Sequence, residues 1–565
     1  MFLKREAGMK KQSCSISVKV IVLLLVLATP FYSYAAWTND PTVNTPISTA
    51  DGDDWHPRIL SDSRGGSIIA WENNGNIYAQ RVDASGNVLW AVNGVTVYVG
   101  NSGVPQMASD GSGGVIISWC ESQTGIYAQR IDSSGNLVWP DVVTVSDASL
   151  QLPIIGSPSI ISDGSSGAII TWMDYRSDYQ EVYAQRIDAS GSSKWTQNGV
   201  AVSSLTPACS YTPMVVTDGG HGAIITWSYS YPYCPGSTSS SDIYAQRIDA
   251  DGNRKWGING VAVCTAANSQ DLTDVKSDGN GGAFITWYDR RTGYRIYVQK
   301  LDANGNAKWA PNGLAMGAGV DTASVLASDG SGGALITWMH STPTVPAIYA
   351  QRVDINGNLM WTSGGIVISD STYNNSGGLN IASDGNGGAI IGWIDGHIGG
   401  GRGFLYGQRV DINGNAKWAA GGVAVSTPSK YSVMDIQLVN DGGSGTIFTW
   451  YDSRNSLTTG KDIFAQKVFS DGTLALTCGD PVTIAGTSYT YTSIQTAYET
   501  VGDGSSIQIQ VQATAFSEDL HMDKDIIVQL KGGYKCDSTN PMLTSLYGTL
   551  TISGGSVAVE NLIVQ

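Results

Sequence analysis

The chain has 565 residues with 69 Gly, 17 Trp and 26 Tyr against 8 Phe, and only 14% of it is charged. That profile suits many short strands joined by tight turns, and excludes a helical bundle or a disordered chain. A formal charge of −16 excludes nucleic acid as a partner, because phosphate binding needs a basic footprint.

Residues 1–35 read as an export signal. Lys4, Arg5, Lys10, Lys11 and Lys19 precede the apolar run Val20–Leu27, and Ser33-Tyr34-Ala35 offers a small-x-small cleavage site. The run is too short to span a membrane comfortably, and no later apolar stretch is long enough. The mature chain is therefore expected to be secreted: extracellular, on the cell surface or in the periplasm. It would keep 27 basic and 47 acidic residues, a balance of −20.

From residue 36 to 476 one unit recurs eight times. Trp71, Trp119, Trp172, Trp227, Trp287, Trp338, Trp393 and Trp450 each lie nine residues after an Asp, from Asp62 to Asp441. A YAQR-like run follows each Trp. Five residues after its Tyr comes another Asp, and seven further on a second Trp, in seven units. Each unit holds four strand-like runs divided by Gly-rich turns, the pattern of one propeller blade. The fold class is all-β: an eight-bladed β-propeller of four-stranded blades. The eighth unit has Leu476 where its second Trp should be, and Trp37 is spare. An N-terminal strand is thus expected to complete the last blade, closing the ring and hiding two sheet edges. Period-two alternation in the first strand sends Arg58, Gln106, Ser159, Asp274, Asn380 and Gln437 towards a central channel, with a lone Arg58 opposite Asp274.

After Leu476 the repeat stops. Ile494, Ala497, Tyr498 and Val501 have helical spacing, and β runs follow at Ile507–Val511, Ile526–Leu530, Leu550–Ile552 and Val557–Val564. The string GDGSSIQIQV…DIIVQLKGG…GTLTISGGSVAVENLIVQ resembles the opening coils of a right-handed parallel β-helix of the pectate-lyase-like kind, with a capping helix before it. That resemblance covers residues 477–565 and implies a fold, not an activity. The repeat SDGxGGAIITW…IYAQRxDxxGNxxW resembles propeller-like repeats of large secreted bacterial surface proteins, which implies architecture and names no activity.

Six Cys follow the signal, and Cys209–Cys234 and Cys478–Cys536 are the expected disulfides, each within one local unit. The DxxGN turns lack the spacing of a calcium loop and read as hairpin turns, so no cofactor is expected; calcium at one or two of them is the alternative. Length varies in two places only: between first Trp and Tyr (7 to 17 residues) and between second Trp and the next Asp (20 to 25). Both connections leave a meander at the same edge, so one face of the disc carries all the variable loops. Candidate contacts there are Tyr229, Tyr231 and Tyr233 in the longest insertion. Asp174 with Arg176, and Asp289 with Arg291, read as turn-fixing ion pairs or ligand contacts.

The expected function is a non-enzymatic binding or adhesion protein with a carbohydrate or protein ligand on that face. The rivals are a carbohydrate-active enzyme (glycoside hydrolase or polysaccharide lyase) at the channel mouth, and a spacer of the cell envelope. Catalytic motifs give the enzyme little support: GxSxG and HExxH are absent, and the five His fall at unrelated repeat positions.

Overall fold

The structure, a computed structural model, describes residues 37–564 apart from 122–123, 148–157, 175, 177–179, 206–208, 231–239, 318, 342–346, 370–377, 397–402, 429–432, 444, 475–481, 486–489, 492, 503, 513–514 and 535–543. The proposed signal, residues 1–35, lies outside them. Among the described residues no helix is long and apolar enough to cross a membrane.

Eight four-stranded antiparallel sheets follow one another along the chain. Blade 1 runs Asp54–Ser61, Ser67–Asn73, Asn76–Val82 and Val95–Tyr98 from inside to outside. Blade 8 contains Val433–Asn440, Thr446–Asp452 and Asp462–Val468, and its outer strand is Thr45–Ser48 from the other end of the chain. Each inner strand packs on the inner strands of both neighbouring blades, and the last packs on the first. The fold is an eight-bladed β-propeller closed by its N-terminal strand.

The repeat residues do the holding. All eight first-series Trp are buried to 1% exposure or less. Each stacks on the aromatic paired with it on the next strand, as Trp71 does on Tyr78 with centroids 6.1 Å apart. The second-series Trp join blades. Trp139 donates its indole N–H to the Ala189 carbonyl, Trp195 to Ala250 and Trp418 to Ser470, at 3.0 to 3.1 Å. The turn Asp is equally committed. Asp110 Oδ1 accepts the N–H groups of Ser112 and Gly114, both at 2.8 Å, while Oδ2 takes two guanidinium N–H of Arg130 at 2.9 and 3.1 Å. Arg130 then reaches the Ala189 carbonyl of the next blade at 3.2 Å. Gly114 has no alternative, since a Cβ there would strike the Ile131 carbonyl. The same Asp–cation pair occurs in every blade, with Lys300 and Lys467 replacing Arg in blades 5 and 8.

The inner-strand polar residues alternate with buried apolar ones, as period two requires. Several cross to the neighbouring blade: Ser159 Oγ accepts the Val215 N–H at 3.3 Å and Asp274 Oδ2 accepts the Leu326 N–H at 3.0 Å. Asn380 donates to Gln437 Oε1 at 3.3 Å. Gln106 is half-buried in its strand. Arg58 of blade 1 and Asp274 of blade 5, expected opposite each other across the channel, each have an ion-pair partner close by. Asp274 takes Lys276 at 2.6 Å, whereas Arg58 meets Asp435 at 3.5 Å.

Beyond the propeller, helix Ile494–Glu499 is capped by Ser493, and Glu518 accepts its first two N–H groups at 2.9 and 3.2 Å. Three parallel ladders follow: Ser506–Gln512 with Ile527–Tyr534 and Ser556–Glu560, Ala515–Ser517 with Thr544–Tyr547 and Leu562–Val564, and Leu520–Met522 with Leu550–Ile552. The run expected at Val557–Val564 is two strands, broken at Asn561, whose φ of 55° turns the chain. Ser506–Gln512 also pairs antiparallel with Val482–Ile484, a strand the sequence reading lacked.

No disulfide forms among the described residues. Cys120 and Cys264 are free and buried. Cys234, Cys478 and Cys536 lie outside the described residues, and for Cys209 only the backbone is described.

Candidate functional site

Sheet register places the variable connections together. In five blades the first residue of the inner strand pairs with the last residue of the second strand, as Asp54 does with Asn73 and Gln270 with Asp289. The face is therefore built from the starts of inner strands and the second-to-third-strand connections.

Of the residues expected there, Tyr231 and Tyr233 lie outside the described residues. Tyr229 belongs to the scaffold instead. It sits inside strand Ala223–Ser230, half-buried, with its ring edge-on to Tyr244 at 5.3 Å. Arg291 holds Asp289 at 2.5 Å, lies 4.1 Å from the Tyr297 ring, and donates to the Asn312 carbonyl at 2.8 Å. Asp289 also accepts the Trp287 indole N–H at 2.8 Å, so this pair fixes a turn. Arg454 and Asp452 repeat the arrangement in blade 8. Arg176 covers the Tyr183 ring at 3.6 Å; the side chain of its expected partner Asp174 lies outside the described residues.

Two clusters on this face were missed. In blade 5, Tyr288 and Tyr294 stack with centroids 5.3 Å apart and an interplanar angle of 22°. The Arg290 guanidinium lies 5.8 and 5.7 Å from the two rings and pairs with Asp271 at 3.2 Å. Tyr294 is 45% exposed. Its carbonyl accepts the Asp321 N–H of blade 6 at 2.8 Å, which anchors the loop that presents the ring. Buried Asp321 is in turn held by His340 at 2.7 Å. The string YDRRTGY in a connection of ten residues is the signal of this cluster in the sequence.

The second cluster joins blades 8 and 1. Both inner strands bulge there, between Trp55 and Arg58 and between Met434 and Gln437. The bulges put His56 at φ 55° and Asp435 at φ 49°. Non-glycine residues enter that region at a cost, and bulges re-aim side chains. Here they bring His56 Nδ1 to 3.1 Å from Asp435 Oδ2, with Arg58 3.5 Å from both carboxylate oxygens. Burial works against the Asp435 carboxylate, but the His56 hydrogen bond and the Arg58 charge outweigh it and hold its pKa below the usual value. Beside them Lys461 Nζ lies 2.9 Å from the Trp55 ring centroid, and Trp55 meets Tyr451 edge-on at 5.2 Å. His56 stays 40% exposed. The group offers a cation, an imidazole and aromatic surface in one place.

The DxxGN turns spend their carboxylates on N–H donors. Asp302 Oδ1 accepts the N–H groups of Asn304 and Asn306, both at 2.9 Å, and Oδ2 accepts the Asn306 amide at 3.1 Å. Hairpin geometry accounts for them without a metal.

The chain resembles solved structures of differing description at low identity. They include a polysaccharide lyase described as an ulvan lyase (9% identity, 76% of this chain and 96% of that one, TM-score 0.41). An oligogalacturonate lyase from Vibrio parahaemolyticus matches at 10% identity over 63% of this chain and 89% of that one, with a TM-score of 0.38. A prolyl endopeptidase matches at 11% over 73% and 56%, with a TM-score of 0.39. Likeness at this level says nothing about activity. No protein-family model and no curated protein matches the sequence.

Proposed function

We propose that this chain is an exported binding protein that takes a carbohydrate ligand on the variable-loop face of its propeller. Residues 1–35 act as its export signal, and the tail after residue 476 is a short β-helix serving as a cap or attachment module. The observation that carries this reading is the stacked pair Tyr288 and Tyr294 with Arg290 across both rings. An exposed aromatic face offers a flat apolar platform with low conformational entropy, and the guanidinium adds directed donors beside it. A glycan array with the purified mature chain, run with and without calcium, tests the reading. Binding lost in Tyr294→Ala places the ligand on blade 5. Binding undiminished in both Tyr294→Ala and Arg290→Ala removes the basis of the proposal.

One observation favours the carbohydrate-active enzyme as a second reading. An exposed His56 held by Asp435 next to Arg58 is a proton-transfer group with a cation beside it. New reducing ends released from a polysaccharide panel, and lost in His56→Ala, would support it; a panel left intact by the native chain counts against it.

A further inference from the structure

Two carboxylates at the joint between the last blade and the first are buried without a countercharge. Asp54 opens the inner strand of blade 1, Asp462 opens the third strand of blade 8, and both are fully buried. The Asp54 N–H donates to the Lys461 carbonyl at 2.8 Å, which sets it against the residue preceding Asp462. One oxygen of each carboxyl is satisfied. Asp54 Oδ1 accepts from Asn73 at 2.7 Å; Asp462 Oδ2 accepts from Asn455 at 2.6 Å and Thr459 at 3.2 Å. The other oxygen of each, Asp54 Oδ2 and Asp462 Oδ1, makes no well-formed hydrogen bond, although Ser48 and Trp71 stand close enough to Asp54 to favour its charge.

The groups around the pair do not neutralise it. Asn73, Ser48 and Trp71 face Asp54, and Asn455 and Thr459 face Asp462; all are uncharged. Arg454 approaches Asp462 but is held 2.6 Å from Asp452, itself an acid beside Asp462. Lys461 is directed to Asp53 at 3.7 Å and to the Trp55 ring. Blade 6 treats the same position differently. Its equivalent of Asp54, eight residues before the turn Asp, is Asp321, and His340 stands there at 2.7 Å where blade 1 has Asn73. An imidazole can carry a charge and an amide cannot.

Two ionised carboxylates buried together without a countercharge are strongly unfavourable, whereas one protonated carboxyl contributes an O–H donor and removes a charge. We propose that Asp54 and Asp462 hold one proton between them, and that its loss as pH rises loosens the closure of the ring. Burial pushes the Asp54 carboxyl up to about 7, with Asp462 adding to it and Asn73 and Ser48 opposing. Burial likewise raises Asp462, with Asp452 adding to it and Asn455, Thr459 and Arg454 opposing. Free carboxyls titrate near 4, so the folded chain binds more protons than the unfolded one. The stabilisation is complete below about pH 4 and is lost as pH rises through about 7.

Thermal unfolding of the full mature chain between about pH 5 and pH 8 tests this. The native Tm should fall by roughly 2–5 °C over that range. Asp462→Asn should reduce the fall and unfold later than the native chain at the alkaline end. A native profile with no fall, or an equal fall in Asp462→Asn, overturns the proposal. So does calcium that raises the alkaline Tm of the native chain but not of the variant, because the pair would then be a cation site. Should Asp462→Asn not fold, infrared spectroscopy of the native chain decides. A protonated carboxyl band present near pH 6 and gone near pH 8 supports the shared proton; its absence at both overturns it.

Discussion

The indole N–H of Trp37 donates to the Ala84 carbonyl at 2.9 Å, joining blade 8 to blade 1 across 47 residues of sequence. It is the bond that Trp90, Trp139 and the other second-series Trp make one blade along, here made by a residue from the opposite end of the chain. Trp37 and Ile47 are buried in the same core as Ile59, Trp71 and Ile463, so the N-terminal strand is an integral part of the blade. Trp37→Ala should cost about 3–5 kcal/mol. Denaturant unfolding measures the cost, and faster amide exchange confined to Asp462–Val468 would locate it.

The buried Asp–Arg pairs predict an asymmetry. Arg352 and Asp329 meet at 2.8 Å with side chains 10% and 1% exposed. Arg352→Ala leaves a buried carboxylate without its cation and should cost about 3–5 kcal/mol. The double variant with Asp329→Asn should recover part of that loss. A double variant no more stable than the single one would mean that Arg352 acts through packing and not through charge.

Asp435 predicts acid sensitivity. Its carboxyl is held below the ordinary value, so the folded chain binds fewer protons there than the unfolded one. Its contribution is present above the unfolded pKa near 4 and disappears as pH falls through the folded value. Acid unfolding of Asp435→Asn should therefore start from a lower stability at neutral pH and converge on the native curve at the acid end.

Calcium should have no effect through the DxxGN turns. Asp132, Asp302 and Asp411 have lowered pKa values because backbone and Asn N–H groups already hold their oxygens, despite some opposing burial. Equal Tm values in calcium and in chelator are expected. A rise in calcium that is lost in Asp302→Asn would place a metal at that turn.

At the blade 5 patch, Tyr294→Ala should weaken glycan binding at least about tenfold, near 1.4 kcal/mol, while leaving Tm within a degree or so. Titration calorimetry and thermal unfolding on one preparation separate lost contact from lost fold.

The repeat makes the architecture legible in the sequence. Asp62 to Trp71, or Asp110 to Trp119, has invariant spacing because turn, strand and interblade contact are one covalently continuous unit. The spare Trp37 and the missing second Trp at Leu476 named the closing strand for the same reason: an eightfold ring admits no vacancy in a bond made seven times elsewhere. What the linear chain does not contain is the relation between residues that only ring closure brings together. His56 and Asp435 stand 379 residues apart and meet because two bulges, each a local departure from period two, fall side by side at the joint. Arg58 was legible as a polar inner-strand residue, but its partner was not, since Asp435 sits where alternation alone would not aim it. Tyr229 shows the converse: its composition suited an exposed loop, and pairing with Ser210 and Asp242 drew it into the sheet. Sequence determined the blades, their number and their closure, because those follow from short-range periodicity repeated. Tertiary structure decided which side chains converge, because burial and charge neutralisation depend on neighbours that the chain brings together only by bending into a ring.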